Sequence, residues 1–148
     1  MRALGARLGA AICAAAVESP LVIGLTGELG AGKTTLVAGL LAGLGHAGPV
    51  RSPTYTLIEP YRLAGRDLYH CDLYRLRDPA ELDDLGLRDL VVAHSVVLVE
   101  WLERAGDRIG TPDLLLRIEY APRGRTIDVE SASEAGDRLC GRLRLDPA

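Results

Sequence analysis

One eight-residue window constrains this chain more than any other part of it. Gly27-Glu28-Leu29-Gly30-Ala31-Gly32-Lys33-Thr34 satisfies the pattern G-x-x-x-x-G-K-[ST]. Before it runs Leu21–Thr26 (LVIGLT), nearly continuous in apolar residues and of strand length. After it, Thr35–Leu44 reads as a helix ended by Gly45. Strand, glycine-rich loop and helix in that order form the setting in which such a loop binds phosphate. The glycines let the backbone curl until successive N–H groups converge on one anion, and the helix adds the positive end of its dipole. Lys33 then serves as a compact charge for the β- and γ-phosphates of a nucleotide. The Thr34 hydroxyl serves as a ligand for Mg²⁺.

Composition sharpens this reading. The chain has 148 residues, a single-domain length that buries about two-thirds of its unfolded surface. Of its 17 basic residues all but Lys33 are Arg, and it contains no Asn, Gln or Phe. The one ammonium therefore sits where a planar guanidinium would follow the phosphates poorly. Guanine-reading loops use Asn-Lys-x-Asp, which this chain cannot write, so adenine is the expected base. Ras-like enzymes orient the attacking water with Gln; here a carboxylate must do so. Glu100 follows the apolar run Val96-Val97-Leu98-Val99 as a Walker B carboxylate would, at the edge of the Mg²⁺ shell, and Asp72 ends Leu68–Cys71 in a similar way. Either carboxylate has the alternative of merely capping the turn that follows it. Ser52-Pro53-Thr54-Tyr55-Thr56 lies about twenty residues beyond the loop, where a mobile γ-phosphate sensor is expected, with Thr54 as the sensing residue and a plain Ser-Pro turn as the alternative.

The remaining composition excludes several classes. A net charge of −3 argues against a free-standing binder of nucleic acid or anionic membrane. Cys13, Cys71 and Cys140 are odd in number and show no C-x-x-C spacing, which argues against a disulfide framework or structural zinc and for a reducing cytosol. The triplet His70-Cys71-Asp72 has metal-binding residue types, yet in a strand at most two of the three can share a metal. The opening carries Arg2, Arg7, an apolar run and Ala-Ala-Ala at 14–16, which imitates a secretory signal. An amphipathic helix with Leu4, Leu8 and Ile12 on one face is the better reading, because the loop that follows needs cytosolic nucleotide. No apolar run approaches the ~20 residues that span a bilayer.

Further along, strands are expected near Tyr55–Leu63 and Asp67–Asp72, joined as a hairpin through Ala64-Gly65-Arg66. Pro79 is expected at the first position of a short helix running to Leu85. Leu114–Tyr120 and Arg125–Ser131 alternate as a second hairpin, and Glu134–Leu145 closes the chain as a helix. There is no repeat or linker. The expected fold is one α/β domain over residues 1–148, with a mixed parallel and antiparallel sheet flanked by helices.

The loop, Ser52-Pro-Thr-Tyr-Thr-Leu57, His70-Cys-Asp-Leu-Tyr-Arg-Leu76, Glu81 to Gly86 and Val99-Glu-Trp101 occur together in this order. In that combination the chain resembles the bacterial TsaE (YjeE) family, the small ATPase of tRNA threonylcarbamoyladenosine synthesis, from its first helix to beyond Ser131. The resemblance implies a P-loop NTPase fold, ATP and Mg²⁺ as cofactors, and weak intrinsic hydrolysis. It also implies action on a TsaB–TsaD heterodimer, tRNA being reached only through those partners, in the cytoplasm, by a protein monomeric when alone. Carried over by position, Gly27 to Thr35 form the nucleotide loop, Lys33 and Thr34 are the phosphate and Mg²⁺ residues, and Thr54 belongs to a switch-like segment. Asp72 is a catalytic carboxylate and Glu100 the second Mg²⁺-site carboxylate, with Trp101 beside it as a nucleotide-binding residue; how Asp72 and Glu100 divide the base and metal roles stays open. Relatives usually open with a short strand before the first helix. This chain begins inside that helix at Ala3-Leu4-Gly5, as a late recorded start or a shortened chain would.

Two other classes fit the same loop. A small-molecule kinase needs an acceptor pocket and a lid, for which Tyr74–Asp89 with Arg75, Arg77 and Arg88 is the candidate. A nucleotide-gated binding module needs no turnover.

Overall fold

The computed structural model describes residues 1–15, 18–53 and 55–143. Its centre is a six-stranded sheet, with β1 (Leu21–Thr26), β2 (Ile58–Leu63), β3 (Arg66–Asp72), β4 (Ser95–Glu100), β5 (Leu114–Ala121) and β6 (Gly124–Ser131) in the order β2-β3-β4-β1-β5-β6. The four inner strands are parallel, and each edge strand returns antiparallel to its neighbour. The fold is the mixed P-loop NTPase-like α/β arrangement expected from the sequence. The β2–β3 turn is two residues long because Ala64 and Gly65 both take positive φ (50° and 73°), the twist that a tight hairpin needs.

Alternation along the strands divides the core into two layers. Leu21, Ile23, Leu25, Leu68, Val96 and Leu98 face α1 (Arg2–Ala14), α2 (Lys33–Gly43) and α5 (Glu134–Leu143). Val22, Cys71, Val97 and Val99 face α3 (Glu81–Asp84), α4 (Leu87–Leu90) and a 3₁₀ segment, Leu102–Arg108. By the same alternation, His70, Asp72 and Glu100 fall on the α2 side, at the end of the strands where α2 begins.

Helices α1 and α2 lie backbone to backbone. A Cβ on Gly5 would stand 2.1 Å from the Leu36 carbonyl oxygen, and one on Gly9 would stand 2.2 Å from that of Leu40. From the other side, Gly39 and Gly43 meet the carbonyls of Arg2 and Ala6 at 2.2 and 2.3 Å by the same measure. Glycine at these four positions, spaced four apart on each helix, is what allows the approach. Leu8 and Ile12 lie buried beside this seam, with Leu4 packed partly buried against the same core, as the expected apolar face requires.

Local boundaries depart from the sequence reading where turns compete. Leu57, at φ 60° and with its N–H bonded to Pro53 O (3.0 Å), delays β2 to Ile58. The helix expected from Pro79 starts at Glu81, because the Glu81 carboxylate accepts the N–H groups of Arg77 (2.9 Å) and Asp78 (2.8 Å) and holds those residues in a turn. Gly86, at φ 65°, then separates α3 from α4, a helix the sequence reading did not contain. The expected extension of α5 to Leu145 lies outside the described residues.

Candidate functional site

The loop between β1 and α2 is shaped by what stands against it. Gly27 has φ 140°, and a Cβ there would fall 2.3 Å from the Ile118 carbonyl oxygen in the middle of β5. Only glycine allows the chain to leave β1 at that point. Glu28, Leu29 and Gly30 are exposed, Ala31 is buried beneath them, and Gly32 takes φ 113° as α2 starts.

Lys33 is 4% exposed. Its Nζ donates to the carbonyls of Gly27 (2.6 Å) and Glu28 (2.9 Å) and lies 3.7 Å from the centroid of the Trp101 ring. Burial lowers the ammonium's proton affinity below the ordinary value, opposed by the nearby carboxylates of Glu100, Glu103 and Asp72. Trp101 reaches this position because it leaves β4 in the left-handed region (φ 60°, ψ 44°), with its N–H bonded to Leu25 O at 2.9 Å. Its ring also meets that of Tyr74, 5.0 Å between centroids.

The two strand-end carboxylates are register partners across β3 and β4, Asp72 opposite Glu100. Glu100 is 2% exposed. Its Oε2 accepts the Thr34 hydroxyl at 3.0 Å, and its Oε1 lies 2.8 Å from His70 Nε2. Among the described residues its side chain caps no helix or turn. Asp72 does cap one, since Oδ1 accepts the Tyr74 N–H at 3.0 Å, while Oδ2 accepts the Ser52 hydroxyl. The capping alternative therefore takes one oxygen of Asp72, and the other meets Ser52.

A cavity of about 370 Å³ collects these groups. Lys33, Thr34, Asp72, Glu100 and Trp101 line it, together with Leu29, Gly30, Gly32 and Thr35. Gly27 and Glu28 border an adjoining recess against Ile118 and Tyr120. Thr54 lies outside the described residues, although Ser52, two residues earlier, reaches the same cavity. Of the possible lid arginines, Arg75 lines the cavity and stacks over Tyr55 at 4.9 Å, whereas Arg88 lies in the other layer and donates to Arg108 O.

Sequence reasoning passed over two contributors. His70 opened the His70–Leu76 motif and a metal-like triplet without being given a role, yet its spacing of two from Asp72 puts both on one face, and it is fully buried against Glu100. Ser52 stood in the same motif as Thr54 and carries the hydroxyl that meets Asp72. Among the described residues, no group of three or more His, Cys, Asp or Glu side chains is placed to hold a metal by itself. A hydroxyl and one carboxylate side by side, as at Thr34 and Glu100, suit an ion that keeps its waters and takes its remaining ligands from phosphates. No helix among the described residues is long and apolar enough to cross a membrane.

The chain is similar to known proteins. The family model described as threonylcarbamoyl adenosine biosynthesis protein TsaE matches residues 1–127. A Haemophilus influenzae protein named tRNA threonylcarbamoyladenosine biosynthesis protein TsaE is 44% identical over 122 residues, 82% of this chain and 77% of that protein. A Streptomyces coelicolor protein of the same name is 39% identical over 139 residues, 92% of this chain and 90% of that protein. The crystal structure of Bacillus subtilis YdiB superposes with a TM-score of 0.71 at 30% identity, over 94% of this chain and 86% of that one. With the family match spanning the loop, both carboxylate strands and β5 beyond them, the chain belongs to the TsaE family.

Proposed function

We propose that the chain is a single-domain, Mg²⁺-dependent ATPase that serves threonylcarbamoyladenosine modification of tRNA and acts on a TsaB–TsaD type heterodimer. The observation that carries the ATPase reading is the Thr34–Glu100 contact at 3.0 Å, beside Lys33 and Asp72 in one cavity. The tRNA pathway is supported by family membership.

Each residue then has a role that its position suits. The loop N–H groups and Lys33 take the β- and γ-phosphates, with phosphate oxygens replacing the Gly27 and Glu28 carbonyls as partners of Nζ. Thr34 and Glu100 would hold Mg²⁺, which would supply charge neutralisation to the phosphate oxygens. Asp72, opposite Glu100, orients the attacking water and accepts its proton through Oδ2, the oxygen that Ser52 now occupies. Thr54 senses the γ-phosphate from the same segment. Trp101 covers Lys33 and keeps bulk water from the phosphate side. With a net charge of −3 and a pathway partner to carry it, the protein meets tRNA through that partner, as a cytoplasmic monomer between encounters.

The test is ATP hydrolysis measured with and without a purified TsaB–TsaD pair. The expected result is slow turnover alone, acceleration with the pair, and loss of both in Lys33→Ala. Unchanged hydrolysis in Lys33→Ala would sink the assignment. Acceleration by a small-molecule acceptor instead of the pair would favour a kinase, and partner binding without turnover would favour a nucleotide-gated module.

A further inference from the structure

We propose that Arg125 and Tyr120 brace the phosphate loop from outside, as positioning residues for nucleotide affinity that do not touch the nucleotide. This rests on the nucleotide-binding reading above. When a loop turns its N–H groups inward onto an anion, its carbonyls point outward and need donors from elsewhere. The β5–β6 hairpin supplies them to three consecutive residues. Tyr120 Oη donates to Leu29 O at 3.0 Å, Arg125 Nε donates to Ala31 O at 3.1 Å, and a terminal guanidinium nitrogen of Arg125 stands 3.5 Å from Gly30 O.

The hairpin is organised to present this pair. Tyr120 and Arg125 are register partners across the antiparallel ladder, and the guanidinium lies 3.9 Å from the Tyr120 ring centroid. Stacking on the ring and a bond from the other guanidinium nitrogen to Gly124 O (2.8 Å) fix the plane of the fork before it meets the loop. The approach is close, since a Cβ on Gly30 would stand 3.0 Å from Tyr120 Oη. Each bond holds a loop carbonyl outward, and the guanidinium adds positive charge behind the loop.

The brace acts on the part of the loop that surrounds the β-phosphate, which ADP and ATP share. It does not touch Thr34, Asp72 or Glu100. Losing it therefore weakens both nucleotides by the same factor and leaves the chemical step alone, a pattern that general destabilisation would not produce.

The experiment titrates ADP and ATP into wild type, Arg125→Met, Arg125→Lys and Tyr120→Phe, reading the fluorescence of Trp101, the only tryptophan, beside Lys33. Turnover is measured at saturating ATP, and melting temperature without nucleotide. The expected result for Arg125→Met is a Kd about 10-fold higher for ADP and ATP alike, the scale of losing a charge-assisted hydrogen bond at the surface. Tyr120→Phe keeps the ring and loses one neutral bond, so about 3-fold is expected. Arg125→Lys, which keeps the charge but not the fork, should fall between Arg125→Met and wild type. In all three, kcat stays within about 2-fold and the nucleotide-free melting temperature is unchanged. Wild-type affinity in Arg125→Met, a loss of kcat at unchanged Kd, or full rescue by Arg125→Lys would each overturn the brace. Failure of wild type itself to bind either nucleotide would overturn the nucleotide reading as well.

Discussion

The seam between α1 and α2 yields a prediction with a definite sign. In an unconstrained helix Gly→Ala stabilises by about 1 kcal/mol through backbone entropy. At Gly9 the added Cβ would stand 2.2 Å from the Leu40 carbonyl oxygen. An ordinary carbon–oxygen contact is about 3.3 Å, so the helices must part by about 1 Å. Backbone faces backbone here, and no rotamer can relieve the clash. The cost belongs at the upper end of the ~1–3 kcal/mol that overpacking brings, and it outweighs the helix-propensity gain by about 1–2 kcal/mol. For a domain of this size that is a melting temperature lower by about 3–8 °C. Gly141→Ala is the control, because it lies within α5 with nothing inside 4 Å of its Cβ and should gain stability. Adding Gly43→Ala to Gly9→Ala should cost less than the two separately, because one parting of the helices accommodates both methyls. Since α2 begins at Lys33 and carries Thr34, ATP affinity should fall in Gly9→Ala as well. Thermal unfolding followed by circular dichroism decides the matter. If Gly9→Ala melts at or above wild type, as Gly141→Ala should, the backbone contact does not constrain the fold.

Three further outcomes are expected. Glu100→Gln keeps the shape that meets Thr34 and His70 but removes the charge, so single-turnover ATP hydrolysis should fall by about 10²-fold while ADP binding persists; near-normal turnover would remove Glu100 from the Mg²⁺ site. Burial lowers the pKa of Lys33 in the folded state below its ordinary 10.5, so between those two values the unfolded chain binds more protons and folding gains stability as pH rises. Denaturant unfolding of wild type and Lys33→Met at pH 8, 9 and 10 should show the difference moving in favour of wild type, and a flat difference would contradict the burial. Finally, a maleimide should label the exposed Cys13 alone in the native protein, because Cys71 is buried with its thiol pushed up to about 12 and Cys140 is buried with its thiol also raised. Mass spectrometry finding three labels before denaturation would refute that core.

What the sequence revealed, it revealed through local chemistry. The loop was legible because its glycines and lysine have one physical use together, and β1 and β4 because strands buried on both faces are apolar without interruption. Asp72 and Glu100 each stood at the end of a strand, so their possible roles were visible. Their being opposite one another was not, because register between β3 and β4 is settled by the whole sheet. His70 escaped for the same reason, since its partner lies thirty positions away. The brace left almost no local trace, because Tyr120 and Arg125 read as ordinary surface residues of a hairpin until the loop is placed beside them. Pro79 misled because a statistical preference for the first helical turn lost to two specific hydrogen bonds that Glu81 accepts from the N–H groups of Arg77 and Asp78.

The position of β1 has a consequence for how the molecule comes into being. It is complete by residue 26, yet its neighbours are β4, which ends at Glu100, and β5, which begins at Leu114. As the chain leaves the ribosome, the β2–β3 hairpin closes early, but it has no place to dock until β4 arrives to stand between it and β1. For most of synthesis the run LVIGLT, the most apolar strand beside β4, keeps both edges open to any other extended chain. Such a topology makes the last third of the sequence rate-limiting for collapse and makes nascent or refolding chains the aggregation-prone species. Truncation before β5 should therefore abolish solubility rather than leave a smaller folded core.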